Sequence, residues 1–160
     1  YASTINLAYP ILKQHGFQAT SFLITSRINR PGMVSDQDIA RTQDVYSYQN
    51  HTHVFHMFNN LTNLSLLQYE SEYAILEDLQ QANGIIEDIL GTDYTVTAHA
   101  YPYGKRSPQA IRALKSAGIT SAYTIDEGNV FQGDSIFELK RQRVHSDMTL
   151  KDFANRLEGK

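Results

Sequence analysis

Three of the six histidines of this 160-residue chain fall within six positions, His51-Thr52-His53-Val54-Phe55-His56. A neutral imidazole is the commonest metal-ligating side chain, and its ordinary pKa keeps it available near pH 7. His51 and His56 are five apart, which is not the i, i+4 spacing of a zinc pair on a helix. In a loop leaving a strand the same spacing can fold back onto one ion, with Thr52 hydrogen-bonding inside the turn. His53 competes as a ligand if the extended backbone continues. The alternative is a set of polar histidines on a surface turn. Two imidazoles do not complete a catalytic site, which takes three protein ligands and a water. Asp126 and Asp147 are the in-chain candidates for the third. A second constellation is Ala100-Tyr101-Pro102-Tyr103-Gly104. Here Pro fixes one φ and Gly permits close backbone approach, so a backbone N–H could face a developing oxyanion. The competing reading is a plain turn.

These residues need a scaffold. Residues 4–15 read as a helix with Leu7, Ile11 and Leu12 on one face, Pro10 inside it and Gly16 as its stop. Residues 19–25 and 45–50 read as strands, the second running into the histidines. Ser35 caps a helix to about residue 44, with acids in its first turn. Residues 59–65 read as a polar loop. Residues 70–90 carry the longest helical pattern, through Tyr73, Leu76, Leu79, Ile85, Ile86 and Ile89, closed by Gly91. Gly84 inside it invites a kink. Residues 95–100 read as a strand, Pro108 opens a helix to residue 116, residues 121–125 and 136–144 read as strands, and Thr149 caps a last helix. Alternation of this kind predicts a parallel sheet with helices outside, open or closed. Both constellations then sit at the C-terminal ends of strands, where such folds build their sites.

Composition narrows the classes. Hydrophobic residues make up 41% and charged residues 19% of the chain, which is globular composition. A net charge of −3 supplies no basic field for a nucleic-acid backbone. The absence of cysteine excludes disulfides and thiolate metal sites. No apolar run reaches membrane-spanning length. Ten Tyr and no Trp suit an aromatic core, or a sugar-facing surface that Tyr46, Tyr48 and Tyr101 could line.

Four segments together resemble the polysaccharide deacetylase family, the metal-dependent carbohydrate esterases of NodB-homology type, and in particular its exopolysaccharide and peptidoglycan deacetylase branch. They are Tyr9-Pro10-Ile11-Leu12 through Gly16-Phe17 to Ala19-Thr20-Ser21-Phe22, the motif from His51 to His56, Tyr101-Pro102-Tyr103-Gly104, and Ala113-Leu114-Lys115-Ser116-Ala117-Gly118-Ile119 followed by Ala122-Tyr123-Thr124. The resemblance implies an α/β fold, a distorted (β/α) barrel of about seven strands, over one domain at residues 1–160 that is N-terminally truncated. It implies a divalent ion, most commonly zinc, on His51 and His56, with His53 at a variable position. It implies that the Tyr103 N–H helps hold the acetyl oxygen and that Tyr101, Pro102 and Tyr103 contact substrate.

The departures from the family pattern carry their own expectations. The strand ending in an Asp pair, which supplies the general base and the third metal ligand, is expected upstream of Tyr1. The polypeptide as given is therefore expected to bind metal weakly and to lack activity. The Arg that many relatives place before the Pro of the family's third motif, here Tyr101-Pro102-Tyr103-Gly104, is replaced by Ala100-Tyr101. The catalytic acid of a Leu-x-His motif has its counterpart in His145, within Arg143-Val144-His145-Ser146-Asp147. Asp147 would orient it or cap the last helix. The implied activity is hydrolytic removal of N-acetyl groups from a GlcNAc-containing polysaccharide, peptidoglycan or poly-N-acetylglucosamine, at an extracellular or cell-wall location. Two imidazoles and a carboxylate also accept cobalt, nickel or manganese. The alternative function is a non-catalytic module that grips glycan.

Overall fold

The structure, a computed structural model, describes residues 1–91 and 93–158. Five strands form one parallel sheet: β1 (Ala19–Leu23), β2 (Tyr46–Asn50), β5 (Ala98–Ala100), β6 (Ser121–Glu127) and β7 (Leu139–Arg141), in the spatial order β1-β2-β5-β6-β7. Because every pair is parallel, all C-terminal ends point one way. Helices α1 (Tyr9–Gln14), α2 (Asp36–Arg41), α3 (Leu66–Tyr69), α4 (Glu72–Leu90), α5 (Pro108–Ser116) and α6 (Leu150–Leu157) complete the alternation.

The core lies between the sheet and α2, α4 and α5. Ile39, Ile75, Leu79, Ile86, Ala110, Ala113 and Leu114 meet Tyr48, Tyr101 and Ala122 there. Capping fixes where helices begin. Ser35 and Asp38 form a capping box on α2, Ser71 accepts from the Ala74 N–H on α4, and Ser107 accepts from the Ala110 N–H on α5. Gly84 leaves α4 continuous through residue 90.

Several elements differ from the sequence expectation, each for a local reason. The first helix opens as a π-turn over Thr4–Ala8, where the Tyr9 N–H reaches back to the Thr4 carbonyl. Pro10 has no N–H with which to continue an ordinary ladder there. Its packed face is Ile5, Tyr9 and Leu12, so Leu7 and Ile11 face solvent. Residues 59–65 are not all loop, because β3 (Phe58–Asn59) and β4 (Leu64–Ser65) pair as a hairpin. The long helix begins at Glu72 after the separate turn of α3, and Tyr73 lies off its packed face.

The strand expected from residue 95 starts only at Ala98, and β2 and β5 share a single register pair, Asn50 with His99. Side chains take over the missing ladder. The Gln49 carboxamide oxygen accepts from the Thr97 and Ala98 N–H groups at 2.9 and 2.8 Å. The Tyr94 hydroxyl accepts from the Tyr48 N–H and donates to the Tyr48 carbonyl, both at 2.7 Å. The last expected strand shrinks to Leu139–Arg141, with a register irregularity against β6 between Tyr123 and Glu127.

Candidate active site

The parallel sheet delivers both constellations to one end. His51 leaves β2, the Tyr-Pro-Tyr-Gly turn leaves β5, and between them the strands are in register at Asn50 and His99. The His51 and His56 rings meet edge to face, with centroids 4.8 Å apart. Each ring is oriented by a group of the third-motif turn. His51 Nδ1 lies 2.6 Å from the Ala100 carbonyl oxygen, so it carries the proton and donates. His56 Nδ1 lies 3.3 Å from the Tyr103 hydroxyl. No described residue bonds either Nε2. Tying Nδ1 to a fixed partner while Nε2 stays open is how metal-ligating histidines are held in one tautomer.

Electrostatics favour the neutral ligand form. Burial pulls the His51 imidazole down to about 4, with His56, Arg141 and Arg27 adding in the same direction and the Ala100 carbonyl opposing. His56 is lowered as well, first by burial and then by Arg27. Neutral imidazoles are what coordination requires. Both rings line a cavity of about 250 Å³ with Tyr1, Phe22, Ile24 and Arg27.

The Tyr-Pro-Tyr-Gly turn is built under constraint. Tyr103 sits at φ 57° and ψ 14°, a left-handed conformation that costs a non-glycine residue about 1–2 kcal/mol. Its ring packs on His56 and Phe58, with centroids at 4.7 and 5.2 Å. No described residue accepts from its N–H, which leaves that donor free for an acyl oxygen. Gly104 follows at φ +67°, and a Cβ there would collide with Ile125 of β6. Only glycine lets the turn lie this close to the strand.

The other expected residues divide. Tyr101 is fully buried, its ring edge to face with His99 and its hydroxyl donating to the Phe137 carbonyl at 3.0 Å. Pro102 is buried too. The side chains of Tyr101 and Pro102 are core, and Tyr103 is the exposed tyrosine of the turn. Tyr46 and Tyr48 are likewise core, with hydroxyls engaged by the Thr4 carbonyl and by Thr42. His53 turns away from the pair, its Nδ1 2.9 Å from the Thr25 hydroxyl.

His145 stands on the exposed segment after β7. It lines one hollow with Asp147, Asp152 and Arg156 and another with Arg141 and Arg143. Neither hollow includes His51 or His56. Asp126 is held by Arg106 at 3.1 Å, and Asp147 is exposed. Among the described residues no group of three or more His, Asp or Glu is placed to hold a metal. The two imidazoles fit a divalent ion as two of its ligands and leave its remaining positions open.

Sequence reading missed the residues that hold the loop. Asn50, fully buried, accepts from the Thr52 N–H at 2.7 Å and donates to Asn83 and the Leu79 carbonyl. Asp78 accepts the next three loop N–H groups. A signal for Asp78 exists: it is an acid on the helix face that carries Ile75, Leu79, Ala82 and Ile86.

Fold and site define a parallel α/β protein with paired imidazoles at the C-terminal end of its sheet. The polysaccharide deacetylase family model matches residues 1–122, and the chain belongs to that family. It is 26% identical over 148 residues to the poly-beta-1,6-N-acetyl-D-glucosamine N-deacetylase of Staphylococcus aureus (strain N315), covering 88% of this chain and 50% of that protein. The chain thus spans about half the length of the curated relatives it matches. The Streptococcus pyogenes deacetylase PplD, solved in complex with acetate, superposes with a TM-score of 0.84 at 21% identity, covering 96% of this chain and 65% of that one. IcaB from Ammonifex degensii superposes with a TM-score of 0.82 at 22% identity, covering 91% and 64%. These likenesses establish the fold: the five-stranded sheet is part of the barrel type expected from the sequence.

Proposed function

We propose that this chain is the metal-binding part of a hydrolase that removes N-acetyl groups from a GlcNAc-containing polysaccharide. The observation that carries this reading is the convergence of His51 and His56, each with Nδ1 tied to the third-motif turn and Nε2 open. The substrate class rests on the poly-beta-1,6-N-acetyl-D-glucosamine deacetylases that the chain resembles. Peptidoglycan is the second polymer of that chemistry. Either polymer places the protein outside the cell or at its surface. Among the described residues no helix is long and apolar enough to cross a membrane.

A divalent ion, zinc for choice, would supply when bound here a water of lowered pKa and a polarising charge for the acyl oxygen. His51 and His56 would hold that ion as neutral donors through Nε2. The Tyr103 N–H donates to the acyl oxygen as charge develops on it. His145 would donate the proton that the departing amine takes up.

A second reading is favoured by one observation, the absence of a carboxylate beside the imidazoles among the described residues. In that reading the chain grips glycan without turnover. Acetate release from poly-N-acetylglucosamine oligomers by the full-length protein tests both. Release that disappears in His51→Ala and His56→Ala supports the enzyme. Saturable oligomer binding with no release supports the module.

A further inference from the structure

Between the two candidate ligands the chain makes a loop whose backbone donors all point inward. The Thr52 N–H goes to Asn50 Oδ1 at 2.7 Å. The His53 N–H goes to Asp78 Oδ1 at 2.8 Å, and the Val54 and Phe55 N–H groups go to Asp78 Oδ2 at 2.8 and 3.2 Å. Four consecutive N–H groups are thus satisfied by two side chains. Asp78 is 6% exposed on the packed face of α4. No lysine or arginine pairs with it among the described residues. A buried carboxylate with no cation persists only where hydrogen bonds replace its lost water, and here the loop alone supplies them.

The outer side of the loop is tied as well. Ser26 donates to the His53 carbonyl, and the Thr25 N–H donates to the Thr52 carbonyl at 3.2 Å. Thr52 itself is held at φ 71°, a strained setting for a β-branched residue. Such a conformation survives only where its surroundings over-determine it.

We propose that Asp78 is the positioning residue of the metal site, fixing the span between His51 and His56 so that both Nε2 atoms face one ion. This rests on the metal-site reading above and adds to it a residue from a different element. The same three N–H groups freed of Asp78 would let the loop relax at Thr52 and swing His56 off its partner.

The test uses the 160-residue chain with Asp78→Asn, Asp78→Ala and, as a control, Leu79→Ala. Asn keeps the shape but turns an NH2 group towards an N–H donor. Amide exchange is read without metal, and zinc affinity is read by competition with a chelating dye. Both Asp78 variants are expected to speed exchange at residues 53–55 about tenfold or more while Tyr48 and Ile86 keep their protection. Zinc affinity should fall about 10- to 100-fold, the range for partners that orient metal ligands. Leu79→Ala should loosen α4 while the folded molecules keep their zinc affinity. Unchanged exchange at 53–55 in both Asp78 variants overturns the proposal. So does an equal loss of zinc affinity in Leu79→Ala. A wild-type chain that takes up no zinc sinks the metal reading and this role with it. Fast loop exchange with undiminished zinc affinity sinks the positioning role alone.

Discussion

The two histidine-bearing ends of this sheet are built very differently. Residues 51–56 are held by β2, by a buried Asn, by a buried Asp from α4 and by the turn after β5. Residues 142–149 hang from a three-residue strand and are exposed except Met148; their ties include the His145 N–H to Met148 sulfur at 3.4 Å, the Met148 N–H to the His145 carbonyl at 3.2 Å, and Gln142 with Asn129 and Arg156. The family match ends at residue 122, before this second segment. A site that orients a metal needs its ligands locked before the ion arrives.

That contrast predicts a graded set of responses. The largest concerns metal. His51→Ala and His56→Ala should each abolish zinc retained after dialysis, measured by elemental analysis, while His145→Ala retains it. Loss of zinc in His145→Ala would erase the distinction between the two ends.

Next comes Gly104→Ala. The added methyl meets Ile125 and the backbone is left-handed, so about 2–4 kcal/mol of stability should be lost in urea denaturation. Gly133→Ala, also left-handed but in open space near the loose end, should cost only about 1–2 kcal/mol. Equal costs would mean that the turn is not packed against β6.

Acid should also act through the buried end. His99 is fully buried and is held well below its ordinary 6.5 by burial, so the native state favours its neutral form. The unfolded chain takes up the proton first as pH falls through 6.5. The stability conferred by neutral His99 is therefore present above 6.5 and is lost progressively below it. Urea midpoints should fall from pH 7 to pH 5, and His99→Asn should flatten that slope.

The smallest contrast lies in the helix caps. Ser107 is buried, accepts from the Ala110 N–H and donates to the Leu67 carbonyl at 2.6 Å. Ser107→Ala should cost about 1–2 kcal/mol. Thr149 caps α6 through an exposed capping box with Asp152, and Thr149→Ala should cost about 0.5–1 kcal/mol.

How much the sequence disclosed follows the same divide. Local rules located α5 from Ser107-Pro108 to Gly118, and the resemblance, where spacing left His53 in competition, singled out His51 and His56. Parallel alternation placed both motifs at one end of the sheet. What escaped was set by long-range substitution. Gln49 and Tyr94 replace ladder bonds that a strand at 95–97 would have made, and no local pattern announces that. Composition left Tyr101 between core and sugar-facing surface, and its contacts with His99 and the Phe137 carbonyl decide for the core. Asp78 lies 22 residues after His56, so its grip on the loop becomes visible only once α4 lies across β2.

The central claim is that His51 and His56 bind one cation through Nε2. Zinc titrated into the 15N-histidine-labelled chain, followed through the ring nitrogens, tests it most directly. The account predicts that both Nε2 resonances shift together to one equivalent, with His51 Nδ1 still protonated and His53 unmoved. Separate saturation of the two rings, or a shift at one ring alone, would contradict it.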